Sequence, residues 1–515
     1  MRTVIVGAGS AGGVIAARLS EDPRHDVVLV EAGPDHPVDG PEDTRNLPPD
    51  LRDGRRNSMR RHDWGYAYRA TGHAFYSALP MAFPRGRVMG GSSSVNTCIA
   101  LRGQPFDYDE WASLGLPEWS FEQCLPAFRR LEHDLDFDNA WHGQEGPVPI
   151  RRHTPDEFVP WQAIFLEACR EAGYPTCADT NDPGTTGAGP HAMNKIRGER
   201  MGVLRTYLTR DVRARPNLSI LPETTVRRVI LRHGRAQALE VEFHGRVLQI
   251  RGDRFVLSGG AIASPGILLR SGIGPEDEVR RMGVDPVVDV PGVGRRLLDH
   301  PGVAIFFWPL RDGFSRPDVD PLIQNVCRYT SAGSTCPNDM QLQPGSFVPL
   351  FPRVSLPSVT LAACLGKPVG HGTLRFPSAH VHDAPIIRSG LDHPGDRPRL
   401  EEALARIGEL ARTRAIERVA RPVYPSRRPF DDHGRFRGAI RQITGSGYHP
   451  CGTVPMGHDG DPFAAVSGRG EVRGTKGLVV ADASLFPTIP SSNTNLPTLM
   501  LGERFGAWLR DDATA

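Results

Sequence analysis

Two polar side chains in the last third of the chain have the types needed to take a proton from a hydroxyl group. His449 lies in Tyr448-His449-Pro450, and Asn493 lies in the later segment 491–498. An unperturbed imidazole titrates at about pH 6.5, so His449 is suited to accept a proton near neutrality. The amide of Asn493 can donate a hydrogen bond to the same oxygen. Such a pair oxidises an alcohol only if the fold also supplies a redox cofactor.

The N-terminal 33 residues have the pattern of a dinucleotide-binding unit. Residues 4–6 and 26–30 predict two strands, residues 11–19 predict a helix, and an acid, Glu31, follows the second strand. The turn between them has the spacing Gly-x-Gly-x-x-Gly, which permits a tight turn, close approach of the backbone to a pyrophosphate, and close packing of helix on strand. The helix N-terminus offers free N–H groups to the phosphates. A bound dinucleotide is therefore predicted, but this pattern does not separate NAD from FAD.

Composition limits the remaining classes of function. The 515 residues are enough for two or three domains. The net charge of +2 and the absence of long basic runs argue against a nucleic-acid partner. The eight cysteines form no C-x-x-C and no Cys/His cluster with zinc spacing, so free thiols and no metal site are expected. No apolar stretch reaches a membrane-spanning length, and the chain opens directly on a strand, so we expect a cytoplasmic protein.

Several long segments together resemble the glucose-methanol-choline (GMC) family of flavoproteins. The turn at 7–12 with Glu31 is similar to the family's opening. Residues 87–96 resemble its first signature, residues 259–275 its second, and residues 291–300 a further block. The segments around His449 and Asn493 complete the resemblance, which covers nearly the whole chain.

The resemblance implies the fold class and the domain organisation. It implies an α/β protein, α+β overall, with a discontinuous Rossmann-like FAD-binding domain formed by residues 1–155, 200–300 and 445–515. The substrate-binding domain is expected at residues 156–199 and 301–444, as an antiparallel sheet flanked by helices. Within 259–275 we expect a helix that starts with Ser264 as N-cap and Pro265 as its first residue.

The resemblance also implies the site residues. His449 is expected to be the catalytic base and Asn493 its hydrogen-bonding partner, with Tyr448 lining the substrate cavity. Val95 stands where some members carry a histidine that links the flavin, which implies a non-covalent FAD. Asn495 has a competing interpretation as a helix cap, and Val226 as a core residue. The implied cofactor-binding residues are Gly7, Gly9, Ser10, Ala11, Gly12, Glu31, Ala32, Arg87, Gly90, Gly91, Ser92, Asn96, Val226, Asp482, Ala483, Asn495, Pro497 and Thr498.

The expected activity is the oxidation of an alcohol to an aldehyde or ketone, with hydride passing to the flavin and the proton to His449. The C-terminal pattern is similar to members that oxidise aryl or furanic primary alcohols. The electron acceptor stays open between O₂ and a quinone or protein carrier, and so does the oligomeric state. One alternative is a non-redox or light-driven flavin enzyme, of the hydroxynitrile lyase or photodecarboxylase type. A non-catalytic flavin-binding protein is another, and an NAD-dependent dehydrogenase is disfavoured because the additional flavin-contacting segments would have no purpose.

Overall fold

The computed structural model describes residues 1–58, 61–69, 80–311, 314–351, 354–424, 440 and 443–511. One of its two largest sheets is a five-stranded parallel sheet. The strands are buried almost throughout, because a parallel sheet covered on both faces is built from continuous runs of Val, Ile and Leu. In spatial order the strands are Leu218–Leu221, Asp26–Val30, Arg2–Val6, Arg254–Leu257 and Leu478–Val480.

Two helices on this sheet begin at the same place. The helix Gly12–Leu19 follows the first strand, and the C-terminal helix Asn495–Asp511 packs against it. Ser10 donates a hydrogen bond of 2.9 Å to the side-chain oxygen of Asn495, which joins the two N-termini. Their positive dipole ends therefore face the same space.

The other large sheet has seven antiparallel strands. Its strands alternate between two environments, since successive side chains of a strand point to opposite faces. One face packs against the helices Pro160–Glu171 and Arg397–Ala411, while the other faces a cavity. Along the sheet the strands are Ala420–Tyr424, Pro301–Pro309, Val359–Leu365, Met340–Gly345, Asn325–Tyr329 and Gly187–Pro190, with Gly445–Ser446 paired to Pro301–Pro309.

Smaller elements complete the described chain. A three-stranded antiparallel sheet contains Thr224–Arg232, Arg235–Phe243 and Arg246–Arg251, and a four-stranded mixed sheet contains Thr373–Arg375, Ile386–Arg388, Ala67–Arg69 and Met81–Ala82. Two-stranded pairs are formed by Glu132–Asp134 with Val148–Ile150, Lys195–Ile196 with Glu199–Arg200, Ile273–Gly274 with Val288–Asp289, and Val348–Phe351 with Val354–Leu356. Further α-helices are Pro49–Arg52, Pro105–Ser113, Phe121–Leu131, Val203–Thr206, Arg210–Arg213, Gly260–Arg270, Glu276–Arg281 and Arg414–Glu417, and 3₁₀ turns lie at Gly91–Ser94, Pro117–Trp119, Pro155–Glu157 and Ala483–Leu485.

The predicted start of one helix is wrong. The helix runs over Gly260–Arg270, so Pro265 lies inside it and Ser264 does not cap it. Proline has no N–H to donate to the carbonyl four residues earlier, that of Ala261. The hydroxyl of Thr453 donates to this carbonyl instead, at 2.7 Å. A partner distant in sequence therefore compensates for the proline, which local propensity does not reveal.

The buried apolar residues form two large clusters. One surrounds the parallel sheet, and the other lies between the antiparallel sheet and its helices. Leu374, Phe376, Ile387 and Leu391 belong to the first cluster although they follow residue 301. The predicted α/β class with a Rossmann-like part and an antiparallel sheet is confirmed, whereas the domain boundaries stay a prediction.

Two expectations concern the chain as a whole. All eight cysteines lie among the described residues, and each carries a free thiol. Within the described ranges, no helix combines the length and the apolar character that crossing a bilayer requires.

Candidate active site

A cavity of about 880 Å³ lies between the two sheets. It extends from the carboxyl ends of the parallel strands, where open α/β sheets bind ligands, to the free face of the antiparallel sheet. This volume is at the upper end of the usual range for ligand pockets. One cavity therefore joins the predicted cofactor residues to the predicted catalytic residues.

Two glycine turns pack against each other in the cofactor half of the cavity. Gly9 and Gly91 approach each other so closely that a Cβ on Gly91 would lie 2.7 Å from the Cα of Gly9. The first dinucleotide turn and the first family signature are thus packed backbone against backbone. Only glycine permits this approach, which leaves the N–H groups at the helix start open to the cavity.

Glu31 is held at the end of the second strand by backbone donors. Its carboxylate accepts hydrogen bonds from the N–H groups of Ala8 and Gly33, each at 2.9 Å. Burial raises the pKa of Glu31 to about 7, although these donors oppose the shift. The carboxylate is oriented before a ligand arrives, as hydrogen bonding to a ribose would require.

Asp482 connects several segments beneath the cavity. Its carboxylate accepts from the N–H of Gly260 at 2.8 Å, from the hydroxyl of Ser264 at 2.5 Å, and from the N–H of Ser484 at 2.8 Å. Burial raises its pKa. The side chain therefore fixes the loop before Asn493 in place while it lines the cavity.

Most of the predicted cofactor residues meet at this cavity. Three do not line it: Gly12, Gly90 and Pro497. A Cβ on Gly12 would lie 2.0 Å from the carbonyl oxygen of Gly7, and Gly90 has φ +87° and donates to the carbonyl of Ala8, so both shape the backbone behind the wall. Those that line it are Gly7, Gly9, Ser10, Ala11, Glu31, Ala32, Arg87, Gly91, Ser92, Asn96, Val226, Asp482, Ala483, Asn495 and Thr498.

His449 and Asn493 are in direct contact at the other end of the cavity. The side-chain nitrogen of Asn493 lies 3.0 Å from Nε2 of His449. On its other side, Nδ1 of His449 lies 2.9 Å from Nδ1 of His300. Tyr448 also lines the cavity and has φ +64°, a strained backbone for a non-glycine residue. The structure brings together the base and the amide that the sequence predicts.

The contacts of His300 determine the tautomer of His449. Nε2 of His300 lies 3.0 Å from the carbonyl oxygen of Gly366 and 2.9 Å from that of Pro490, so it must carry the proton. Burial lowers the pKa of His300 to about 4, which makes the ring neutral and its Nδ1 an acceptor. Nδ1 of His449 therefore donates to His300, and Nε2 of His449 presents its lone pair towards Asn493.

Asp299 positions both histidines through their backbones. Its carboxylate accepts from the N–H groups of His300 and His449, each at 2.8 Å, and from the hydroxyl of Ser446. Burial raises the pKa of Asp299 to about 6. The sequence analysis identified Asp299 and His300 only as part of the 291–300 segment, and did not place His300 against His449. The only signal was that the two residues are adjacent within the 291–300 segment.

Arg85 is a cavity residue that the sequence analysis did not identify. Its guanidinium donates to the carbonyls of Pro84 and Tyr448. Burial first, and then the electrostatic interactions with His300 and Arg85, hold the pKa of His449 well below its usual 6.5. His449 is therefore neutral, and a competent base, at neutral pH. The available sequence signal for Arg85 was its position two residues before Arg87.

Two buried amide atoms at the cavity have no partner among the described residues. They are the side-chain oxygen of Asn493 and the side-chain nitrogen of Asn495. Buried polar atoms are normally hydrogen-bonded, so these two mark places where a polar ligand fits. Together with the N-termini of the two helices, they suit an extended ligand with phosphates at one end and a polar ring at the other.

Known proteins resemble this chain over the segments that form the cavity. The sequence model described as GMC oxidoreductase matches residues 1–302 and 368–502. A 5-(hydroxymethyl)furfural oxidase of Methylovorus sp. (strain MP688) is 33% identical over 533 residues, with 97% of each chain covered. The chain belongs to the GMC oxidoreductase family. A GMC oxidoreductase that is 31% identical is the oxygen-dependent choline dehydrogenase of Rhizobium meliloti (strain 1021), with 97% of this chain and 94% of that protein covered. The crystal structure of pyridoxine 4-oxidase from Mesorbium loti superposes with a TM-score of 0.89 at 29% identity, with 98% of each chain covered.

Membership confirms the family predicted from the sequence and the assignment as an oxidoreductase. GMC oxidoreductases are FAD-dependent, and the lining of this cavity fits that cofactor. The roles of the individual residues, and the non-covalent attachment expected from Val95, stay predictions. Val95 is buried at the cavity wall and offers no nucleophile.

A second cluster of titratable groups lies away from the cavity. Glu132, Asp134 and His142 have ligand atoms within 4.8 Å of one another. Both ring nitrogens of His142 face carboxylates, those of Asp134 and Asp179, at 2.8 Å each. Arg102 pairs with Glu132, and Arg152 pairs with Asp134 and Asp179. Desolvation lowers the pKa of His142, but its hydrogen bonds to Asp134, Asp179 and Glu132 raise it to about 10. The cluster is a buried ion-pair network in which arginine and imidazolium occupy the positions a metal would need.

Proposed function

We propose that this GMC oxidoreductase oxidises an uncharged aryl or furanic primary alcohol to the aldehyde, with His449 as the base. The observation that supports this most directly is the contact between Nε2 of His449 and the amide of Asn493, at the wall of the cofactor cavity. Non-covalently bound FAD supplies the two-electron acceptor for the hydride of the carbinol carbon. The final acceptor is O₂ or a quinone or protein carrier.

The proton follows a defined route. The hydroxyl of the alcohol replaces the direct contact between the amide of Asn493 and Nε2 of His449, and hydrogen-bonds to both groups. Nε2 accepts the hydroxyl proton, while the amide donates a hydrogen bond to the oxygen. The resulting imidazolium keeps its Nδ1 proton in the hydrogen bond to His300. The base therefore needs no change of tautomer or ring orientation during the reaction.

The charges around the cavity favour a neutral substrate. On the antiparallel sheet the cavity-facing side chains are uncharged: Ala304, Phe306, Gln341, Gln343, Thr360, Ala362 and Cys364. Arg85 also lines the cavity and carries a positive charge. A quaternary ammonium alcohol would find no carboxylate to pair with among the described cavity-facing residues of this sheet, and would be repelled by Arg85. A neutral aromatic or furanic ring fits this surface better.

The test is an anaerobic titration of the purified yellow protein. Furfuryl alcohol or benzyl alcohol should bleach the oxidised flavin spectrum and yield the aldehyde, whereas choline should not. Admission of air then separates an oxidase from a dehydrogenase by the rate at which the colour returns. Bleaching by choline alone would contradict the proposed substrate class. Cleavage of a cyanohydrin with no bleaching by any alcohol would favour the lyase alternative.

The role of His449 needs its own variant and control. General bases typically contribute 10²–10⁴-fold, so His449→Ala should slow bleaching by about that factor while FAD stays bound. His244→Ala removes an exposed histidine in the turn between two strands of the three-stranded sheet and should bleach at the parent rate. Equal rates for both variants would remove His449 from the mechanism.

A further inference from the structure

Two glutamine side chains stand next to each other on the cavity face of the antiparallel sheet. Gln341 and Gln343 are two residues apart in the strand Met340–Gly345, so their side chains share one face. Both line the cavity, while Met340 and Leu342 point into the apolar core on the other side. On a face otherwise made of small or apolar side chains and one threonine, the pair supplies the amide groups.

The hydrogen bonds of the pair fix the orientation of both amides. The nitrogen of Gln341 donates to the carbonyl oxygen of Ser491 at 3.0 Å, because a carbonyl can only accept. The oxygen of Gln341 is then left to accept from the nitrogen of Gln343, at 2.8 Å. Neither amide can flip without losing a hydrogen bond. Among the described residues, none donates a hydrogen bond to the oxygen of Gln343, so this oxygen and the second N–H of Gln343 stay available for a ligand.

The pair is also fixed relative to the catalytic amide. Ser491 precedes Asn493 by two residues, and Asp107 accepts from both the N–H and the hydroxyl of Ser491, at 2.9 and 2.7 Å. Gln341 therefore abuts the loop that carries Asn493. Gln343 lies two residues farther along the strand than Gln341. Their Cα atoms are therefore roughly 7 Å apart, at about 3.3 Å per residue.

Space for a ring lies beside Gln343. Ala362 is its partner in the neighbouring strand, and Ala304 is the partner of Ala362 in the next. Small side chains at both positions leave the amide of Gln343 accessible from the cavity. Phe306 lines the same face farther along and offers an aromatic surface.

We propose that Gln343 is a specificity-determining residue that hydrogen-bonds a second, uncharged polar substituent of the alcohol. That substituent lies across the ring from the hydroxymethyl group, on the side away from His449 and Asn493. The preferred substrates are thus aryl or furanic alcohols with an aldehyde, hydroxymethyl or similar group across the ring. This inference rests on the proposed function, and it concerns binding and orientation rather than the chemical step.

The experiment compares two alcohols that differ only in this substituent. Rates of anaerobic flavin reduction are measured for the holoenzyme and its Gln343→Met variant with 5-(hydroxymethyl)furfural and with furfuryl alcohol. Methionine keeps the length of the side chain but cannot form the hydrogen bonds. We expect the parent protein to prefer 5-(hydroxymethyl)furfural, and the variant to lose about tenfold in kcat/KM for it, through KM, the size expected for one neutral hydrogen bond. Furfuryl alcohol should react equally well with both proteins, which also shows that the variant is folded and loaded with FAD.

Each other outcome contradicts a defined part of the inference. Equal losses for both alcohols would make Gln343 a structural residue. A preference that survives in Gln343→Met would assign the recognition to another residue. No preference in the parent protein would overturn the substrate class while leaving the proposed oxidation intact. Failure of every alcohol to reduce the flavin would instead overturn the proposed function, and this inference with it.

Discussion

Nδ1 of His300 lies 2.9 Å from Nδ1 of His449, and this contact determines which nitrogen of His449 keeps an available lone pair. The two carbonyls that accept from His300 leave its Nδ1 as an acceptor. The lone pair of His449 is thereby directed to the cavity side, towards Asn493. We expect His300 to be a positioning residue, because its Nδ1 contacts His449.

Removal of this acceptor should reduce turnover without affecting binding. In His300→Leu, Nδ1 of His449 has no partner, so the ring loses its fixed tautomer and orientation. We expect kcat to fall about 10- to 100-fold, with KM and FAD content unchanged. His300→Asn keeps an oxygen where Nδ1 stood and should recover part of the loss. Stopped-flow flavin reduction checks both, and equal defects in the two variants would indicate a purely structural role.

The pH dependence of flavin reduction should report the depressed pKa of His449. Desolvation, followed by His300 and Arg85, holds this pKa well below 6.5. The reactive neutral form therefore persists as the pH is lowered past 6.5, and kcat/KM should fall only on the acidic side of that value. The free energy of unfolding should change in the same direction. It keeps its full value above pH 6.5 and decreases as the pH falls below that value, because the unfolded chain takes up the proton on this histidine first. An acidic limb centred at or above 6.5 would contradict the burial argument.

The amide of Asn493 should contribute by donating a hydrogen bond. Asn493→Leu removes the donor next to Nε2 of His449, and we expect about a 10²-fold loss of kcat, in the range for removal of one preorganised donor. Asn493→His restores a donor of similar reach and should retain much of the activity. Comparison of the aldehyde yields and reduction rates of the two variants is the measurement. Similar rates for the leucine variant and the parent would exclude a role for the amide.

The interior proline of the helix Gly260–Arg270 should make Thr453 important for stability. Thr453→Val leaves the carbonyl of Ala261 buried without its donor and should cost about 1–3 kcal/mol of unfolding free energy. In that background Pro265→Ala restores the N–H that the helix itself would donate, and should recover part of the loss. Urea unfolding of the single and double variants tests this coupling. Additive effects would show that the two residues act independently.

The buried ion-pair network should be sensitive to loss of its imidazolium. His142→Leu leaves the carboxylates of Asp134 and Asp179 without the proton donor between them. We expect destabilisation of about 3–5 kcal/mol, as for other broken buried pairs. Because the pKa of His142 is raised to about 10, its stabilising effect is complete below pH 6.5 and is lost as the pH rises through about 10. The stability difference between parent and variant, measured by denaturant titration, should shrink over that range.

The sequence by itself determined the parts of this protein that depend on local pattern. The strand, glycine turn, helix and acid at 2–31 are specified by adjacent residues, since a tight turn and a helix start need particular residue types at fixed spacing. The segments that resemble the GMC family, and the residue types of His449 and Asn493, could likewise be recognised in the sequence. The parallel sheet, the antiparallel sheet and the FAD-dependent family followed from these.

The tertiary structure alone decided how distant segments complete one another. It placed His300 against His449, Thr453 against the carbonyl of Ala261, and Gln341 against Ser491. Each of these contacts joins residues more than a hundred positions apart, so no local periodicity or propensity encodes it. A histidine's tautomer, the continuity of a helix through a proline, and the orientation of an amide all depend on which partner is available, and that partner is set only when the chain is folded.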